Sequence, residues 1–176
     1  MHQVVFFLTE TFFSLLLNIF LLRLMLQWVR ADFRNPIAGA ILRMTNWLIM
    51  PLRRALPPTG RIDTASVVAA FALSLVQTAV LSVILLGALP DALPWLWAAV
   101  IELLRSGLWL YFWGIFIYAL ASMIAPGVRS PLQDLLESLC EPVLQQIRNA
   151  VPAIGGLDLS PMWAGIIIQV LLILIR

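Results

Sequence analysis

Apolar residues run through this chain in long blocks, broken by two segments in which they recur every three or four positions. A helix rises about 1.5 Å per residue, so crossing a hydrocarbon core takes about 20 apolar residues. Four blocks read as such spans: residues about 4–28, about 64–89, about 95–124, and a short one at about 159–175. The first carries Glu10 and Arg23, the third Glu102 and Arg105, and the other two no charge. The first block lacks a basic start and a small-residue cleavage site and ends at Gln27-Trp28-Val29-Arg30, so it reads as a retained helix. Pro90 and Pro94 predict a short turn between spans two and three that stops a helix on each side.

The segments at about 36–56 and 131–151 have the helical period instead. Ile37, Ile41, Met44, Leu48 and Leu52 form an apolar face in the first, and Leu132, Leu136, Leu139, Val143 and Ile147 form it in the second. Opposite stand Arg43, Asn46, Arg53 and Arg54, and then Ser138, Glu141, Gln145, Arg148 and Asn149. Each segment reads as an amphipathic helix lying on the membrane surface, or as a cap packed on other protein. Pro51 and Pro142 are expected to bend or break them.

These two segments are copies. At a constant offset of 95, with no gap, Arg34, Pro36, Arg53, Ala55, Pro57, Gly60 and Asp63 fall on Arg129, Pro131, Arg148, Ala150, Pro152, Gly155 and Asp158. The chain therefore reads as an all-α membrane protein of about four spans in two tandem parallel repeats, residues 1–89 and 95–176, each with an interfacial helix between its spans. In each copy a Pro-Gly-Asp series ends the amphipathic helix: Pro57, Gly60 and Asp63, then Pro152, Gly155 with Gly156, and Asp158. The prolines stop the helix, the glycines take a turn, and the aspartates stand where they can cap the next span or, alternatively, hold a ligand.

With 62% hydrophobic and 11% charged residues, the chain has too few charges to wet a globular surface. A net charge of +2 does not indicate nucleic acid. The single cysteine, Cys140, excludes an intramolecular disulfide, and the single histidine, His2, excludes a haem with two histidine ligands from one chain. Six Arg between Arg30 and Arg61, against a lone Asp91 in the opposite turn, place both long loops in the cytoplasm and both termini in the periplasm. Arg43, Arg53 and Arg54 are candidates for binding anionic lipid or a partner; the alternative is that such arginines only set orientation.

Charges inside a span are functional candidates. Glu10 and Arg105 are matched at the same offset of 95 and form a candidate pair, with Glu102 as the competing partner three residues from Arg105. Arg23 is expected to reach out to the cytoplasmic side. Gly107 and Gly114 are candidate packing positions for a neighbouring chain, and Trp28, Trp95, Trp97 and Trp163 candidate depth anchors.

The arrangement Asn35-Pro36, Thr45-Asn46, Pro51-Leu52-Arg53-Arg54, Pro57, Gly60 and Ile62-Asp63 resembles the YggT family of small bacterial membrane proteins. Its second copy, Glu141-Pro142, Arg148, Pro152 and Gly155 to Pro161, is similar to that family's second half. Trp47 stands where the family pattern has proline, and Gln145-Gln146 replaces a basic-proline pair. The resemblance implies links to cell division, to osmotic or potassium homeostasis and, in plastid relatives, to cofactor assembly of an electron-transfer complex. It brings no catalytic residue and no cofactor. The expected function is a non-catalytic inner-membrane scaffold or assembly factor acting on other membrane complexes. The alternative is a small homo-oligomeric channel or transporter component whose path would use Asn18, Ser74, Gln77, Thr78, Ser82 and Gln169.

Overall fold

A computed structural model describes residues 2–56, 63–124, 130–150 and 158–175. Among the described residues there are six helices: α1 His2–Trp28, α2 Pro36–Ala55, α3 Thr64–Leu86, α4 Ala92–Ile124, α5 Pro131–Ala150 and α6 Ser160–Leu174. Helices α1, α3 and α4 are long and apolar enough to cross a membrane. The apolar α6 has 15 described residues, short of a full crossing.

Local chemistry accounts for several boundaries. Arg30, at φ 55°, turns the chain out of α1, and Ala31 N–H bonds back to Leu26 O at 2.9 Å. Asn35 caps α2 by accepting from Ile37 N–H at 2.9 Å, with Pro36 at the first helical position. Gly87 closes α3 at φ 70°, a conformation that a side chain would strain.

Two proline expectations are corrected. Pro94 does not stop a helix but lies in the first turn of α4, where its missing N–H would have had no helical partner. Pro51 and Pro142 sit inside α2 and α5 and do not break them.

Helix α1 packs on α3, α3 on α4, and α4 on α6, while α1 also touches α4. The two 20-residue helices fold over one end: α2 covers α1 and α3, α5 covers α4 and α6, and they touch each other. Asn35 Nδ2 donates to Pro131 O at 2.6 Å, joining their starts. One buried cluster joins Leu17, Phe20 and Leu21 of α1 to Ile49 of α2 and the small Ala65, Ala69 and Ala70 of α3. A second joins Ile115, Leu139, Cys140, Leu144, Ala164 and Ile168. A third, with Leu26, Ala38, Ile41 and Leu135, ties α1 to both covering helices.

The inward faces of α2 and α5 therefore lie against protein. Each fully buried Leu or Ile there contributes about 1.5–3 kcal/mol relative to exposure to water. The outer side of α2 is not purely polar, since Met44, Trp47 and Met50 share it with Arg43, Arg53 and Arg54.

Candidate functional site

Polar groups gather where α2 and α5 end and the next helix begins. In the first half, Arg53 Nη2 donates to Asp63 Oδ2 at 2.7 Å and Nε to Oδ1 at 3.4 Å. Ser66 Oγ donates to Asp63 Oδ2 at 2.6 Å, and Asp63 is 7% exposed. The Gln27 amide completes the ring, with Nε2 donating to Asp63 Oδ2 and Oε1 accepting from Arg53 Nη2, both at 3.3 Å. Burial alone would raise the Asp63 carboxyl, but the hydrogen bonds from Arg53 and Ser66 outweigh it and hold it below the ordinary carboxylate value.

The second half has a counterpart. Arg148 Nε donates to Asp158 Oδ2 at 2.8 Å, and Nη1 donates to Glu141 Oε1 at 2.5 Å. Asp158 Oδ1 accepts from Ser160 N–H at 2.9 Å at the start of α6. Its carboxyl is likewise held low: burial opposes the shift, and the bonds from Ser160 and Arg148 prevail. The same contacts with Asp158 and Glu141 overcome desolvation and raise Arg148. This second pair is more open, with Asp158 43% exposed.

Of the turn residues singled out in the sequence, Asp63 and Asp158 are thus both engaged by arginine. Asp63 stands at the N-cap of α3 but makes no side-chain capping bond, because its oxygens face Arg53, Ser66 and Gln27. Pro57, Gly60, Pro152, Gly155 and Gly156 lie outside the described residues. Among the arginines proposed for lipid or partner binding, Arg53 is occupied by Asp63, whereas Arg43 and Arg54 are exposed and form no ion pair with described residues.

Arg23 does not reach out to water. It is 1% exposed, and its Nη1 donates to Thr45 Oγ1 at 2.6 Å, to Asn46 Oδ1 at 2.9 Å and to Leu42 O at 3.4 Å. The covering helix α2 brings acceptors to the guanidinium, so α1 and α2 are clamped together. Periodicity within α1 carries no sign of this clamp; the signal was the Thr45-Asn46 pair on α2.

Within the span region, Arg105 lies 4.0 Å from Glu102 on its own helix. Glu10 is exposed, and no ion pair joins it to Arg105 among the described residues, so the matched pair read from the repeat gives way to the local one. Gln77 Nε2 bridges Ser14 Oγ at 3.2 Å and Glu102 Oε1 at 3.3 Å, while its buried Oε1 has no partner. Ser74 donates to Ala99 O at 2.7 Å, and Thr78 to Ser74 O at 2.9 Å.

Trp95 is partly buried, and its indole donates to Leu75 O at 3.0 Å and Thr78 Oγ1 at 3.1 Å, tying α4 to α3. Gly107 faces Met25 and Gly114 faces Leu139 and Cys140, so both serve close approach inside this chain. Among the described residues, no group of three or more His, Cys, Asp or Glu is placed to hold a metal ion.

The family model described as CCB3/YggT matches residues 2–84 and 97–176. An uncharacterized Escherichia coli K12 protein, YggT, is 38% identical over 157 residues, covering 89% of this chain and 80% of its own length. An uncharacterized protein of the proC 3′ region of Vibrio alginolyticus is 39% identical over 155 residues, covering 88% and 83%. An uncharacterized Pseudomonas aeruginosa protein is 38% identical over 162 residues, covering 90% and 81%. No solved structure matches.

Proposed function

The chain belongs to the CCB3/YggT family, and from that premise we propose that it is a non-catalytic scaffold of the bacterial inner membrane that holds or assembles other membrane proteins. In this reading two tandem repeats, α1–α3 and α4–α6, each cross the membrane twice, with α6 as the fourth span. Both termini are periplasmic, and α2 and α5 cover the cytoplasmic end. No cofactor takes part.

One observation carries the reading. Three buried polar side chains, Arg23, Ser74 and Gln77, are engaged in bonds between helices, whereas Arg43 and Arg54 remain exposed and without ion pairs among the described residues. An interior so engaged holds the bundle together, and basic side chains on a covering helix suit an acidic partner or anionic lipid. The transport alternative draws on Ser14, Gln77 and Glu102, a polar connection across α1, α3 and α4 with one unmet acceptor.

Complementation of a deletion strain separates the two. Arg43→Gln with Arg54→Gln removes about 2 kcal/mol of attraction to an anionic surface and leaves the Arg53–Asp63 pair intact. The interior set is Gln77→Leu, Gln169→Leu and Glu102→Gln. At equal abundance, the arginine double is expected to lose function and co-purification of a membrane partner, with the interior set close to wild type. The opposite pattern would replace the scaffold with a transport role.

A further inference from the structure

At the offset of 95, matched positions are sealed in one half of the molecule and open in the other. Around Arg53–Asp63, Gln27 and Ser66 close over the carboxylate. Their counterparts are Ser122 and Pro161. Proline has no donor with which to replace the Ser66 hydroxyl, and Ser122 makes no bond to Asp158. A cavity of about 490 Å³ opens there instead, lined by Tyr118, Ser122, Arg148 and Asp158 among others. It shares Ala119, Pro161 and Met162 with a second cavity of about 470 Å³ that runs along the α4–α6 face. That part is apolar, walled by Phe112, Phe116, Ile166, Val170 and Ile173. From Pro161 to Ile173 a helix rises about 18 Å, close to the depth of one leaflet of hydrocarbon. The two cavities make one groove, polar at the mouth and apolar along its length.

We propose that this groove binds a single bilayer phospholipid with an ethanolamine headgroup, its acyl chain lying between α4 and α6. Charge selects the headgroup. One guanidinium, Arg148, faces Asp158 and Glu141, with Glu137 one turn earlier on α5. Among the described residues carboxylates are in excess here, so a headgroup of net negative charge is repelled. A zwitterion fits both parts. Its primary ammonium donates to the partly exposed Asp158 carboxylate, and its phosphate takes the guanidinium N–H groups not held by Asp158 and Glu141, together with the Tyr118 hydroxyl. A choline headgroup lacks N–H donors and loses the first contact. The first half cannot do this, since its carboxylate is sealed. The inference stands whether or not the scaffold reading holds.

The test uses the full chain in nanodiscs containing equal amounts of ethanolamine, choline and glycerol phospholipids with identical acyl chains. Lipid retained on gentle release is counted by native mass spectrometry. The expected result is one retained lipid per chain, with ethanolamine enriched about fivefold over each competitor. Asp158→Asn should bring the headgroups to parity while keeping one lipid bound, and Ala119→Phe, at the junction of the two cavities, should abolish retention. Gly165→Val is the second blocking variant should Ala119→Phe fail to fold; its added carbon would start 3.6 Å from the Phe112 ring. Equal retention of all headgroups, preference for the glycerol lipid, retention by a folded blocking variant, or a lipid-free dimer covering this face would each overturn the proposal.

Discussion

Arg53 and Asp63 bridge the end of α2 and the start of α3 with Nη2 and Oδ2 2.7 Å apart. The pair is repeated by Arg148 and Asp158 at 2.8 Å, in each case ten residues apart in sequence. An arginine at the last turn of a helix also complements the partial negative charge there. Each pair thus fixes the angle at which a covering helix hands the chain to the helix beneath it.

The two pairs should differ in strength. Asp63 is nearly buried and accepts from three side chains, so Asp63→Ala should destabilise the protein by about 2 kcal/mol. Asp158→Ala, at an exposed pair, should cost less than about 1 kcal/mol. Both carboxyls lie below their unfolded value, so their contributions are complete above it and vanish as pH falls through the folded value. Thermal unfolding in detergent should therefore show acid loss confined to pH below about 4, smaller in Asp63→Ala. Equal sensitivity of the two alanine variants would contradict the difference in burial.

Arg23 makes a sharper case. Replacing it with Leu removes three bonds to α2 and leaves Asn46 Oδ1 without its donor. Each lost hydrogen bond to a charged group is worth about 1.5–3 kcal/mol. Arg23→Leu should therefore free α2 for proteolysis in intact membranes, and Arg23→Lys should rescue it only partly, since an ammonium cannot span the same acceptors. A surface arginine reaching to water would tolerate both changes.

The contrast between these residues shows what can be read from a sequence. The long helices were legible because lipid tolerates uninterrupted apolar runs, and the covering helices because Ile37, Ile41, Leu136 and Leu139 recur at helical spacing. Arg53 with Arg148, and Asp63 with Asp158, were visible as matched identities, yet their pairing was not. Ten residues that include a turn have no fixed geometry, unlike three or four along one helix. Arg23 was misread because its acceptors come from another element: a cation one turn from a helix end reaches water by default, unless a helix folds over it. For Glu10 and Arg105, repeat symmetry suggested a partner, but Glu102, on the same helix, is closer.

Cys140 supplies a probe of the second covering helix. It is fully buried on the inner face of α5, and desolvation, with the charge of Glu141 adding to it, pushes its thiol up to about 12. At pH 8 almost none is thiolate, so maleimide or iodoacetamide should label it only when α5 lifts away. Labelling in native membranes should be slow and jump on adding denaturing detergent. Rapid labelling of the native protein would mean that α5 does not stay packed on α4 and α6.

The orientation of the whole chain can be tested with cysteines introduced at exposed positions. Two exposed positions lie at opposite ends of the helices: Ala92, at the start of α4, and Glu137, on α5. The arginine-rich connection around α2 should be cytoplasmic, because basic loops are retained on that side, and α5 touches α2. Cysteine placed at 92 should then react with a membrane-impermeant reagent added to whole cells with a permeable outer membrane. Cysteine at 137 should react only after the inner membrane is opened. With Cys140 replaced by Ser as background, the two signals are unambiguous. If 137 labels from outside and 92 does not, the orientation is inverted, and Arg43 and Arg54 would face the periplasm. The scaffold reading would then need a periplasmic partner. If both label from outside, α4 does not cross the bilayer, and the four-span arrangement fails with it.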